Sequence, residues 1–235
     1  MKRLAGILLL AVLGASVAVA QTPDASQKYA GNPVARVRDN RSWEYGPFVN
    51  WGKGVGDRAD FEFFWAGFQA GKILTPVIHS RIFPGQFEFG ANIMPLWQAY
   101  TPAPHLQDFT YKGTTYVAQV GGGTYRGVSL TPVIFRWNFL TRWHDVQPWF
   151  QGAGGLIYTT HKFPPDVLVP EGTPGGTSVW NFAPQGGLGV HFFMHSGRSI
   201  DLGVNAVHIS SASLGDRNPG VNASIQVQMG YTFWK

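Results

Sequence analysis

The sequence predicts an all-β fold, an eight-stranded antiparallel up-and-down transmembrane β-barrel, in a chain exported before it folds. Three observations carry this expectation. The chain starts with an export signal, its later segments alternate apolar and polar side chains with period two, and its composition is rich in aromatic residues and glycine but poor in charge.

The export signal comes first. Lys2 and Arg3 precede an apolar run from Leu4 to Val17, and Ala18-Val19-Ala20 then offers small residues for cleavage before Gln21. A spanning helix would need ~20 apolar residues and no such cleavage site. Residues 1–20 are therefore read as a signal peptide. Residues 21–40, polar and interrupted by Pro23 and Pro33, are read as a flexible leader, and residues 41–235 as the outer-membrane barrel.

Composition narrows the class. Aromatic residues make up 14% of the chain and charged residues 13%, whereas a soluble domain carries about 25% charge. With 30 glycines and 9 tryptophans, this suits apolar side chains facing lipid and their neighbours facing a polar interior. Without spanning helices, only a closed barrel satisfies every backbone group in that setting. Losing Lys2 and Arg3 lowers the formal charge from +5 to +3, too little to draw nucleic acid, and the basic residues are scattered. The absence of cysteine excludes disulfides, thiolate metal sites and a thiol nucleophile. No cofactor motif stands out: Gly121-Gly122-Gly123 lacks the lysine of a phosphate loop. The histidines other than His208, His191 among them, show no spacing with carboxylates that suggests a metal site, and parity places His191 in the lumen.

The strands are read as Trp43 to Gly52, Asp60 to Leu74, Gln86 to Tyr100, Tyr125 to Phe139, Gln147 to Thr160, Thr177 to Phe193, Arg198 to Ser210 and Val221 to Trp234. Alternation is clearest in the last, where Ile225, Val227, Met229, Tyr231 and Phe233 oppose Gln226, Gln228, Gly230 and Thr232. Ile200, Leu202, Val204 and Ala206 oppose Asp201, Gly203 and Asn205 in the same way, and the apolar rows are expected to face lipid. Pro132, Pro148 and Pro184 are expected at bulges or strand ends, because proline donates nothing to a ladder. With both termini inside, the long stretches Thr101 to Thr124, His161 to Gly176 and Ser211 to Gly220 become outward loops. The turns Leu140 to Val146 and Met194 to Gly197 fit as short inward connections, while Thr75 to Gly85 is long for one. A soluble lipocalin-like barrel, with its apolar rows turned inward, is the alternative.

His208 and Ser210 are two apart at the end of the seventh strand, so both project from one face. An imidazole beside a hydroxyl is the minimum for an activated oxygen nucleophile, although such pairs also arise by chance at strand ends. Parity adds that the pair continues the row of Ile200 to Ala206 and so lies on the lipid side. A polar pair there belongs at the outer rim, where an ester in the outward leaflet comes within reach. Asp216, in the following loop, is a fallback acid partner, although a turn aspartate before Arg217 is its plainer reading.

The stretch His208-Ile209-Ser210-Ser211-Ala212-Ser213-Leu214 through Asn218-Pro219-Gly220, with Leu130-Thr131-Pro132-Val133 and Gln147-Pro148-Trp149-Phe150, resembles the lipid A 3-O-deacylase (PagL) family. The resemblance implies an eight-stranded outer-membrane barrel that hydrolyses the ester-linked 3-hydroxyacyl chain of lipid A in lipopolysaccharide. It implies Ser210 as nucleophile and His208 as base, with Asn218 and the backbone N–H of Ser213 as candidates for holding the loop or the oxyanion. Two positions depart from the family: Ser211 follows the serine where asparagine is common, and Asn222 stands where the family has glutamate. An asparagine can orient an imidazole but does not offset its charge. Parity also turns Asn222 toward the lumen unless a bulge intervenes. The missing glutamate leaves open a rival reading, a non-catalytic structural or lipid-binding barrel. The terminal Tyr231-Thr232-Phe233-Trp234 resembles the aromatic end that such barrels present to the barrel-assembly machinery, and Lys235 departs from it.

Overall fold

A computed structural model of the protein describes residues 31–111, 113–120, 122–164, 178–195, 197–212, 214–215 and 222–235. The expected signal peptide and the first part of the expected leader lie outside the described residues. The last part of the leader is ordered, contrary to expectation. Asn32 caps the N–H of Ala35 at 2.9 Å, Pro33 occupies the first turn, and helix α1 (Pro33–Asn40) ends on Arg41 in the left-handed region. Burying Val34 and Val37, on one face of the helix, holds α1 against Ile73, Phe193 and Trp234. That apolar face is what turns a polar leader into a docked element.

Eleven strands follow among the described residues: β1 (Trp43–Gly54), β2 (Glu62–Ile73), β3 (Gly85–Tyr100), β4 (His105–Tyr111), β5 (Thr114–Val120), β6 (Thr124–Phe139), β7 (Val146–Phe163), β8 (Ser178–Phe182), β9 (Gln185–His195), β10 (Arg198–His208) and β11 (Ala223–Trp234). The sheet runs β6-β3-β2-β1-β11-β10-β9-β7, and a further β6–β7 pairing closes it. All its pairings are antiparallel. The segment expected as one sixth strand is β8 and β9, interrupted at Ala183-Pro184, so the closed wall has the eight strands expected. β4 and β5 form a separate hairpin inside the stretch expected as an outward loop, turning at Gly113 with φ +80°.

Two prolines sit at bulges and Pro184 at the break between β8 and β9, whereas Pro148 pairs with Val190 and Pro47 with Phe68 in unbroken register. Pro132 falls in the register shift between Leu130 and Val133, and Pro95 in the one between Met94 and Trp97. Each bulge also switches which residues point inward: on β6 the buried set passes from Ser129 and Thr131 to Ile134, Arg136 and Asn138. The long inward turn after β2 packs beside α1, where Gln86 Nε2 donates to the carbonyls of Arg38 (3.1 Å) and Thr75 (2.9 Å).

The apolar rows face outward. Leu202, Val204, Ile225, Val227 and Met229 are exposed, while Asp201, Asn205, Gln226 and Gln228 are buried on the opposite face. This orientation overturns the lipocalin-like alternative, in which the apolar rows would be the buried ones.

The interior corrects a second expectation, because only part of it is polar. A layer toward the inward ends of the strands carries Glu44, Glu88, Arg136, His191 and Asp201, all buried. Toward the outward end the lumen is aromatic: Trp65 and Trp97 lie 6.1 Å apart between centroids, and Phe163 meets Trp97 at 5.3 Å. A barrel this narrow is filled by side chains, and large rings fill its outward end.

Candidate active site

His208 closes β10, and the wall remains intact through Ser210. The His208 N–H donates to the Pro184 carbonyl at 3.0 Å and the Ile209 N–H to the Asn222 carbonyl at 2.8 Å. Ser210 exchanges both backbone bonds with Phe182, at 3.0 and 2.7 Å. Val207 and Ile209 are buried in the aromatic end of the lumen, and His208 and Ser210, alternating with them, are half-exposed on the outer face. Residues two apart on a strand stand ~6.8 Å apart on the same face. The chain then turns through Ala212, at φ +47°, whose N–H donates to Ser210 Oγ at 3.1 Å. That bond pins the serine at the mouth of the outward loop.

Asn222 lies on the other side of the wall. It is buried in the inward row with Ser224 and Gln226, and its Oδ1 accepts from Arg58 Nε at 2.8 Å. This ties the β1–β2 connection to the start of β11, reinforced by the Val55 N–H on the Ala223 carbonyl at 2.9 Å. The structure therefore brings His208 and Ser210 to one face and leaves the Asn222 side chain on the opposite one, as parity required without a bulge. His208 makes no side-chain hydrogen bond to a described residue. Ser213, Asp216 and Asn218 lie outside the described residues.

Sequence reasoning missed the surface beside the pair. An apolar cavity of about 430 Å³ opens on the lipid-facing wall, lined by Ile93, Leu130, Leu156, Tyr158 and Trp180 among others. The ladder connects it to the serine: Ile93 pairs with Leu130, Leu130 with Leu156, Leu156 with Phe182, and Phe182 with Ser210. Ser210 stands beyond the outward end of β10, whereas Leu130 and Ile93 stand near the middle of β6 and β3. The row thus descends from the rim into the depth of the apolar band. No signal local to any one strand marks it, since it is assembled from the registers of four pairings.

Sequence analysis missed a second group. Ligand-type atoms of Glu44, His191 and Asp201, from β1, β9 and β10, lie within 4.8 Å of one another in the lumen. His191 is in the lumen, as parity indicated, but the spacing of histidines and carboxylates along the chain pointed away from such a cluster.

A lipid-facing apolar band on a closed wall, with a polar pair at its outward rim, defines an outer-membrane β-barrel. The family model described as lipid A 3-O-deacylase (PagL) matches residues 85–232. The chain belongs to the lipid A 3-O-deacylase (PagL) family, and its place is the outer membrane of a Gram-negative bacterium. No curated protein matches it. Among solved structures it is similar to neisserial surface protein A, with 13% identity over 81% of this chain and 96% of that one, at a TM-score of 0.50. The outer-membrane enzyme PagL shows 14% identity over 80% of this chain and 98% of that one, at a TM-score of 0.43. The N-terminal barrel domain of Pseudomonas aeruginosa OprF shows 10% identity over 82% and 98%, at 0.39. The first of these likenesses bears on the fold alone.

Proposed function

We propose that this protein is an esterase that removes the ester-linked 3-hydroxyacyl chain from lipid A, with Ser210 as nucleophile and His208 as base. The observation that carries the reading is the outward placement of both residues at the rim, inside the segment that matches the family. Ser210 Oγ attacks the ester carbonyl as His208 takes its proton, and His208 then returns that proton to the leaving sugar alkoxide. Water, deprotonated by the same imidazole, releases the fatty acid from the acyl-serine. The Ser213 N–H and Asn218 are the proposed oxyanion donors, and Asp216 the acid on which His208 can draw. Asn222 acts mainly as a tie between the β1–β2 connection and β11, so the pair works without the family's glutamate. The apolar row descending from Ser210 suits an acyl chain, which runs from a headgroup at the rim into the leaflet.

The signal peptide is removed on export, and the aromatic C-terminal strand is offered to the barrel-assembly machinery. The test is the mass of lipid A from Gram-negative cells with and without the protein. Loss of one 3-hydroxyacyl group is expected, and an unchanged acyl pattern with the barrel correctly inserted rejects the enzymatic reading. The inward Asn222 favours one rival, a non-catalytic lipid-binding barrel, which that unchanged pattern would support.

A further inference from the structure

The ionic layer in the lumen contains two buried ligand-type atoms without a hydrogen-bond partner among the described residues, on residues whose ligand-type atoms lie within 4.8 Å of one another. His191 Nδ1 lies 2.8 Å from Asp201 Oδ1. Asp201 accepts from Nδ1, which leaves Nε2 as the nitrogen turned to another partner. Asp201 is held in that role by Ser199 Oγ, which donates at 2.6 Å, and by the hydroxyl of Thr232. Among the described residues, neither His191 Nε2 nor Glu44 Oε2 has a hydrogen-bond partner. Both residues are at least nine-tenths buried, at 0% and 2% exposure. Arg136 occupies the other Glu44 oxygen, donating to Oε1 at 2.7 Å.

Backbone space is reserved for the cluster as well: a Cβ on Gly71 would lie 2.6 Å from Glu88 Oε1 and 3.0 Å from Glu44 Oε1.

We propose that the lumen binds one divalent transition cation of the Zn²⁺ class. His191 Nε2 and Glu44 Oε2 are its direct ligands, water completes its shell, and Asp201 orients His191 from behind. A carboxylate that fixes the ligating tautomer of a histidine through its other nitrogen is a recurrent feature of zinc sites. The layer lies between the aromatic outward cluster and the cap made by α1, so the cation enters as the barrel folds. The site is separate from the rim pair and does not depend on the proposed esterase activity.

The test is to refold the full mature chain into phosphatidylcholine vesicles with Zn²⁺, remove free metal with a chelator and count bound metal by elemental analysis. About one Zn²⁺ per folded chain is expected, with an unfolding midpoint above that of chain refolded in chelator. Glu44→Gln and His191→Gln, which keep side-chain size and hydrogen bonding, should lower bound metal at least about tenfold and abolish the shift. X-ray absorption of the metal in the wild-type protein should show one imidazole nitrogen among oxygen ligands, which decides the matter even if a variant fails to fold. Folded wild type without metal, variants that retain it, or an all-oxygen shell would each overturn the site.

Discussion

Replacing Arg136 with methionine should be among the most damaging single changes in the wall, because it strands two buried carboxylates. Arg136 Nη1 donates to Glu44 Oε1 at 2.7 Å and to Glu88 Oε1 at 3.1 Å. Its Nε and Nη2 share Gln151 Oε1 at 3.2 and 3.1 Å, and its guanidinium stacks 4.9 Å from the Trp149 ring centroid. Hydrogen bonds to charged groups are worth ~1.5–3 kcal/mol each, so the two carboxylate bonds amount to ~3–6 kcal/mol gross. Removing the guanidinium also removes its own desolvation cost, which brings the expected loss to about 3–5 kcal/mol. The side chain is buried, so solvent screening does not reduce this figure as it would at a surface. The assay is reversible urea unfolding from vesicles in the presence of chelator, followed by tryptophan fluorescence and extrapolated linearly to water. A loss below ~1 kcal/mol, the value of an exposed ion pair, would refute the reasoning. So would failure of the triple variant Arg136→Met/Glu44→Gln/Glu88→Gln to recover most of the lost stability, since it removes the stranded charges along with their partner.

Other changes separate chemistry from architecture. Ser210→Ala and His208→Ala should each lower release of 3-hydroxy fatty acid from lipid A by about a thousandfold or more while the barrel folds normally, because both side chains lie outside the packed lumen. Asn222→Ala should leave that release within about tenfold, yet make the β1–β2 connection more open to protease by removing the Arg58 Nε–Asn222 Oδ1 bond; a loss as deep as that of His208→Ala would restore Asn222 to the catalytic group. Trp97→Ala, at 0% exposure in the aromatic end, should cost ~3–5 kcal/mol in the same urea assay. Val37→Asp should detach α1 and expose the segment before Trp43 to protease without unfolding the wall, since the ladder closes without it.

Much of the wall was legible from local pattern. Period-two alternation in the seventh and eighth strands placed Ile200 to Ala206 and Ile225 to Phe233 outward, and the same parity carried His208 and Ser210 outward and Asn222 inward. Alternation misled where both faces are apolar. Phe63 and Trp65 alternate with Phe64, so nothing in that run distinguishes a ring facing lipid from one packed in the lumen. It was silent at Asn32-Pro33, a cap followed by a first-turn proline, where the two valines of α1 are too few to announce a helix.

By itself the sequence determined that this chain crosses a membrane with strands and carries Ser210 on the lipid side of the rim, because side-chain direction along a strand is a local property with period two. Tertiary structure alone decided what stands beside those residues. Closure and register bring Ile93, Leu130, Leu156 and Phe182 into one descending row with Ser210. They also bring Glu44 into reach of His191 and Asp201. Such neighbours depend on which strand pairs with which and at what offset, and that follows from the balance of the whole closed wall rather than from any one segment.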